Sequence, residues 1–364
     1  MAVTRVHRKG WAVELSASEL LGALGDSVTV LPVVVALAAL TEVSLAGALV
    51  GFGVFQIVWG LRYGLPVSVE PMKALAGLAI AGTLTYGELV AAGLLAGVVL
   101  LGASRLGVVG RIGSLVGRPV VRGVQLAVAL LLAQAGLGLA GGDLPLALLG
   151  VAVAGLTALV YPKAGALAVL AVGTLLAVDG VPTVALPSLT FFPTAPRFSV
   201  AAFDGLLGQL AMTVGNAAVA TSLLFSDLYD ADVSPDELAG SMGVMNLLAV
   251  PFGAIPMCHG SGGLAGKHAF GARTGGANVI LGVLYLAAAL VAGLWTGFPL
   301  AMLGVLLLVV AASLARVALD TDVLALVTGM GVLALATNVG IAFVVGLALH
   351  RAAGVLPRLR EAGV

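Results

Sequence analysis

The chain has 364 residues, of which 60% are hydrophobic and 9% charged, with 17 basic and 17 acidic groups. A soluble domain carries about 25% charged residues, so this composition excludes an ordinary soluble enzyme and points to a polytopic membrane protein. Zero formal net charge gives no nucleic-acid footprint, and the single cysteine, Cys258, excludes an intramolecular disulfide and any multi-cysteine metal motif.

The chain opens with a basic tail holding Arg5, Arg8 and Lys9, and no small-residue cleavage site follows it, so no removable signal peptide is expected. Apolar segments then recur at bilayer-spanning lengths, roughly 17–25 residues. In the first half they fall at about 18–40, 45–62, 71–84, 87–104, 120–140, 144–160 and 165–178. A Pro-rich stretch from Gly180 to Pro196 reads as an external linker. In the second half they fall at about 203–226, 237–253, 259–270, 276–297, 298–317, 319–336 and 337–350. Segments three and ten are too short to cross as helices. Each follows an extended Pro-containing piece, Pro66–Pro71 (PVSVEP) and Ile255–Gly260 (IPMCHG). The expectation is a half-strand, half-helix crossing at each place, with its irregular backbone covered by protein or a water-filled cavity.

Fourteen segments with a cytoplasmic N-terminus put Arg62, Arg105, Arg111, Arg118, Arg122, Lys163, Lys267, Arg273, Arg316, Arg351, Arg358 and Arg360 inside. Only Arg197 falls outside, and Lys73 falls within the membrane. This distribution obeys the positive-inside rule and predicts cytoplasmic termini in the plasma membrane.

The two halves echo each other at a spacing of about 190 residues. Leu65–Gly77 (LPVSVEPMKALAG) answers Ile255–Gly275 (IPMCHGSGGLAGKHAFGARTG). Glu19–Asp26 answers Gln209–Asn216, and Gly53–Gln56 answers Gly243–Asn246. Seven segments is an odd number, so the second copy enters from the opposite side. The fold class is therefore an all-α polytopic membrane protein of 7+7 inverted repeats, residues 1–180 and 197–364. Paired interruptions in such repeats mark a substrate site near the midplane.

Gly22–Pro32 (GALGDSVTVLP), Pro66–Gly77 and Gly240–Gly275 resemble the molybdate transporter family, relatives of the SulP sulfate permeases that lack the C-terminal STAS domain. The resemblance implies oxyanion uptake on the fold shared with uracil permeases. It also implies a core domain of segments 1–4 and 8–11 moving against a gate domain of segments 5–7 and 12–14. The chain departs from the family at Glu70, where a neutral Gln is usual.

An oxyanion at the midplane needs positive potential with little desolvated charge, and helix N-termini supply it through free N–H groups. Segments three and ten would begin near Met72 and Gly260. Gly260, Gly262 and Gly263 would let backbone amides approach the ligand, or else only permit tight packing. Ser261 adds a hydroxyl donor. Lys73, with Glu70 three residues before it, reads either as positive charge beside the anion or as a structural ion pair. Asp26 or Glu19 could take up a coupling proton, while Gln209 and Asn216 would donate hydrogen bonds to the ligand or the broken backbone. His259 could donate to the anion or titrate, and Cys258 reads as packing. Lys267, His268 and Arg273 read as basic anchors at the cytoplasmic end of segment ten.

No HExxH, GxSxG or P-loop pattern occurs, so neither an enzyme nor an ATP-driven pump is expected, and no metal or cofactor is called for. The expected partners are molybdate or a related oxyanion, a coupling proton and the lipid bilayer, and a homodimer is compatible. Sulfate, a nucleobase or channel-like anion conduction remain the alternatives.

Overall fold

The computed structural model describes residues 13–361 except 162–163, 179–182 and 189. Arg5, Arg8, Lys9, Lys163, the start of the linker at 180–182 and the side chains of Arg358 and Arg360 lie outside the described residues.

A helix or a strand–helix unit stands at each expected segment. The first half runs through α1 (Ala17–Leu40), α2 (Leu45–Tyr63), β1 (Val69–Pro71), α3 (Lys73–Ile80), α4 (Tyr86–Leu106), α5 (Val109–Val116), α6 (Arg118–Ala140), α7 (Leu144–Val160) and α8 (Gly165–Ala177). The second half runs through α9 (Val200–Met212), a π-turn (Thr213–Ala220), α10 (Thr221–Tyr229), α11 (Pro235–Ala249), β2 (Met257–His259), α12 (Ser261–Ala269), α13 (Gly276–Leu290), α14 (Leu300–Leu319), α15 (Leu324–Ala336) and α16 (Val339–Glu361). Five described helices, one of them the continuous stretch Val200–Tyr229, are long and apolar enough to cross a bilayer unaided.

Local chemistry explains the breaks. Pro32 has no N–H to give the carbonyl of Val28, and α1 bends by 41° between Val28 and Val30. The corresponding helix of the second half is distorted too, by the π-turn that contains Asn216. Gly64 (φ 64°) ends α2 in the left-handed region, and the chain then runs extended into β1. β1 and β2 pair antiparallel with Val69 opposite His259, Glu70 opposite Cys258 and Pro71 opposite Met257. Each strand passes directly into its half-helix, as the paired prolines predicted. The boundaries shift: α3 stops at Ile80, and the tenth segment begins as a strand at Met257.

Packing repeats with the partners exchanged. α2 lies against α13, and α4 lies against α11. Both seams use glycine for close backbone approach. A Cβ at Gly53 would come 2.9 Å from the carbonyl of Gly282, and one at Gly243 would come 3.0 Å from that of Gly97. α1 packs on α12 and α9 on α3, while α6, α7, α8, α14, α15 and α16 pack mainly on one another.

The linker is fastened rather than free. Phe192 N–H donates to Pro251 O (2.7 Å), Arg197 N–H to Gly87 O (2.8 Å) and the Ser199 hydroxyl to Glu88 (2.7 Å). Helix α5 was not expected. It is a short amphipathic piece that buries Val109 and Val116, and its first N–H donates to Asp236 (3.0 Å).

Candidate functional site

The two strands bring the starts of both half-helices together, and Glu70 sits between them. Its Oε1 accepts from the Gly263 N–H at 2.9 Å, and its Oε2 is ion-paired with Lys73. The Ser68 hydroxyl lies 3.2 Å from Oε1. A Cβ at Gly260 or Gly263 would collide with this carboxylate. The glycines thus allow close approach, as expected, but the oxyanion that uses it is the chain's own. Glu70 is buried, whereas the Lys73 side chain keeps 18% of its surface exposed.

Beside it lies a second ion pair. Asp26 on α1 and Lys267 on α12 are 3.0 Å apart, and both are fully buried. Ser68 donates to Asp26 at 2.6 Å and Gln56 Nε2 at 3.2 Å. Lys267 also reaches Gln56 Oε1 (3.2 Å), Asn278 Oδ1 (2.8 Å) and the Val67 carbonyl (2.9 Å). This corrects the reading of Lys267 as a cytoplasmic anchor. Its long side chain turns inward because a buried carboxylate at this depth needs a countercharge. The two acids and two lysines cancel in their ordinary charge states, so positive potential here comes from backbone N–H groups rather than from excess formal charge.

Gln209 caps α3. Its Oε1 accepts from Ala74 N–H (2.9 Å) and Leu75 N–H (3.3 Å), while Nε2 donates to Thr213 (2.9 Å). The expectation that it donates to the broken backbone is reversed: a helix start offers N–H groups, so it needs an acceptor. Asn216 accepts from Ser261 at 2.7 Å, so Ser261 is a donor engaged within the protein. Met72 is fully buried and contributes backbone, its N–H donating to Pro256 O at 2.9 Å. Gly262 is exposed, and a Cβ there would meet nothing within 4 Å, so it faces open space.

Two expected residues stand apart from these donors. His259 is buried with Nδ1 3.0 Å from the Ser68 carbonyl and Nε2 2.6 Å from the Ser241 hydroxyl, edge-on to Trp59 and Tyr63. It ties β2 to β1 and α11 instead of reaching the half-helix termini. Glu19 accepts from the N–H groups of Arg273 (2.8 Å), Thr274 (2.9 Å) and Ala277 (3.0 Å). It holds the loop after α12, so its sequence pairing with Gln209 does not carry over to an equivalent place. Cys258 is buried with its thiol 3.8 Å from the Pro71 carbonyl, in keeping with packing. Arg273 donates 2.8 Å bonds to the carbonyls of His268 and Ala272, closing the C-terminal end of α12.

Sequence reasoning missed Ser68, Gln56 and Asn278. Their signal was polarity inside apolar runs, the same signal that marked Asp26. Gln56 and its repeat mate Asn246 do equivalent work. Gln56 Nε2 donates to Val69 O (3.1 Å), and Asn246 brackets Met257 through its N–H (2.8 Å) and carbonyl (2.6 Å).

A family model described as "Molybdate transporter of MFS superfamily" matches residues 18–132 and 201–314. The chain is 30% identical to "Molybdate transporter 2" of Arabidopsis thaliana over 84% of its length and 80% of that protein's. It is also 30% identical to "Molybdate transporter 1" of Chlamydomonas reinhardtii, over 93% and 92%. Among solved structures, the transmembrane domain of the cyanobacterial bicarbonate transporter BicA superposes with a TM-score of 0.66 at 17% identity, covering 91% of this chain and 96% of that one. The murine anion transporter Slc26a9, in its inward-facing state, gives 0.66 at 13% identity, covering 94% and 69%. At these identities the solved structures speak to the fold, which is that of the SulP and SLC26 transporters.

Proposed function

The chain belongs to the molybdate transporter family, its two matched blocks carrying both half-helices, and from that premise we propose that it is a secondary transporter of molybdate or a close tetrahedral oxyanion. The observation that supports this most is the donor set at the start of α12. The Gly263 N–H and the Lys73 ammonium converge there, next to Ser261 and the exposed Gly262. Preorganised N–H groups and one partly exposed lysine stabilise an anion without a large uncompensated buried charge.

The halves form two inverted repeats, and alternating access moves the ligand. In this reading the core is α1–α4 with α9–α13, and the gate is α6–α8 with α14–α16. The packing groups just described support the division. A cleft of about 760 Å³ runs between them, lined by Leu78, Leu84 and Asp204 on one side and Gln134, Leu335 and Asn338 on the other. Both termini lie on the cytoplasmic side of the plasma membrane. Arg62 and Glu237 (3.3 Å) meet at that end, while Arg197 and the linker meet Glu88 at the outer one.

An arriving dianion adds negative charge beside Glu70, so a proton carried with it would couple uptake to the proton gradient. Uptake into proteoliposomes should then rise as external pH falls, and Glu70→Gln should flatten that dependence. The reading as a whole is tested by titrating the purified protein with molybdate, tungstate, sulfate, phosphate and uracil, and by measuring uptake beside current. Saturable uptake of the tetrahedral dianions supports it. Preference for uracil, or current without saturation, overturns it.

A further inference from the structure

We infer that the Glu70 carboxylate is a tethered competitor of the transported anion: it fills the oxyanion cradle when the carrier is empty and is displaced when substrate binds. The inference rests on the oxyanion reading above and gives that site its occupant in the unloaded state.

The geometry carries it. A carboxylate is a planar oxyanion, and Glu70 takes the bonds an incoming oxyanion would take: one N–H from the first turn of α12 at 2.9 Å and one ammonium from Lys73. Nothing of the side chain is left for solvent, since Glu70 is 1% exposed. The cradle is shaped around it, because Gly260 and Gly263 are the two residues whose Cβ atoms would run into the carboxylate. Gly262, between them in sequence, is exposed, and the Lys73 side chain keeps 18% of its surface exposed, so one face of the first turn and the cation beside the carboxylate are not covered by the protein. The charged neighbours are already committed. Asp26 of α1 is paired with Lys267 of α12, which leaves Lys73 of α3 as the cation shared between Glu70 and an arriving ligand.

Two consequences follow. A dianion outcompetes a monoanion for the same donors, so displacement favours doubly charged oxyanions over singly charged ones. And when substrate leaves, the carboxylate returns, so the empty site is never an uncompensated positive cavity. A carrier that neutralises its own empty site can reorient without cargo and support net uptake. A carrier lacking the tether should return more readily loaded, as an exchanger.

The test uses the full-length protein in detergent and in proteoliposomes, with sodium molybdate as the probe. Glu70→Gln keeps the acceptor oxygen and the shape but removes the charge. Glu70→Asp keeps the charge but shortens the reach to Gly263 by one methylene. Both should bind molybdate about tenfold more tightly than the parent, Glu70→Gln the more so. In uptake assays, molybdate preloaded inside the vesicles should stimulate Glu70→Gln several-fold and the parent little. If Glu70→Gln does not fold, as judged by its melting curve, Glu70→Asp carries the measurement. Equal or weaker binding in the folded variants, with the parent binding normally, overturns the tether and makes Glu70 a support for Lys73. Absence of saturable binding by the parent and the variants alike overturns the oxyanion reading itself, and the tether with it.

Discussion

The N-termini of the two half-helices have the same backbone setting but are closed by different chemistry. At α3 the N–H groups of Ala74 and Leu75 are capped by Gln209, a neutral amide reaching from α9. At α12 the N–H of Gly263 is capped by Glu70, a carboxylate reaching from β1. The first turns differ as well: Lys73-Ala74-Leu75 all carry side chains, whereas Ser261-Gly262-Gly263 is nearly bare. A neutral amide bound to a side-chain-rich turn is a structural joint. A carboxylate on a bare turn is held as a ligand would be. The two termini thus share a backbone setting and differ in the side chains that close them, and under the tether proposal that difference is what makes α12 the exchangeable one.

The largest expected effect comes from the fully buried ion pair that ties α12 to α1, whereas the Lys73–Glu70 pair at the start of α3 keeps its lysine partly exposed. Lys267→Met or Asp26→Asn alone leaves a buried charge without its partner, which costs about 3–5 kcal/mol. The double variant should regain much of this, because a neutral pair of similar volume removes the orphan. Thermal unfolding of the purified protein checks the prediction. Losses near zero in both single variants would mean that the α12 half does not depend on its ion pair.

Next in size is the steric asymmetry of the first turns. Gly263→Val places carbon against oxygens of Asp26, Ser68 and Glu70, and should abolish molybdate binding. Gly262→Val meets nothing in this state, so the fold should survive, and any loss of binding then reports a ligand approaching from the open side. Undiminished affinity in folded Gly263→Val would move the anion site away from α12.

The third test makes the two termini alike. Gln209→Glu puts a carboxylate over α3 as well as over α12, and added negative charge beside the site should weaken oxyanion binding about tenfold. Gln209→Ala instead removes the cap, and should cost about 1 kcal/mol of stability with a smaller change in affinity. Stronger binding by Gln209→Glu would show that α3, not α12, presents the exchangeable donors.

Much of this architecture was legible in the sequence. Pro66, Pro256 and the short apolar stretches behind them located both half-helices, because proline and length together forbid a continuous span. Asp26 and Lys73 stood out as charges in apolar runs. Lys267 did not, because a lysine after a glycine-rich turn and before His268 and Arg273 looks like an interfacial anchor. Only tertiary packing brings it to Asp26, about 240 residues away in sequence. Ser68, Gln56 and Asn278 are small or neutral, and sequence has no signal for which backbone carbonyl or lysine an amide will meet. Helix α5 was hidden because an eight-residue amphipathic turn between spans reads as loop.

The smallest effect is expected at His259, which lies opposite the apolar Val69 across the two strands. A carbonyl can only accept, so Nδ1–H donates to Ser68 O, and in the neutral ring Nε2 is left as an acceptor toward Ser241. Both ring nitrogens are thereby used within the protein, and neither points to the donors around Glu70. His259→Gln can keep one of these bonds and loses the other together with the edge contacts to Trp59 and Tyr63. It should cost about 1–2 kcal/mol of stability and change molybdate affinity by less than about threefold. What effect there is should travel through Ser68, whose carbonyl faces the histidine and whose hydroxyl faces Asp26. Normal melting combined with lost uptake in His259→Gln would contradict this, and would put the imidazole on the ligand's path and β2 rather than β1 at the centre of the site.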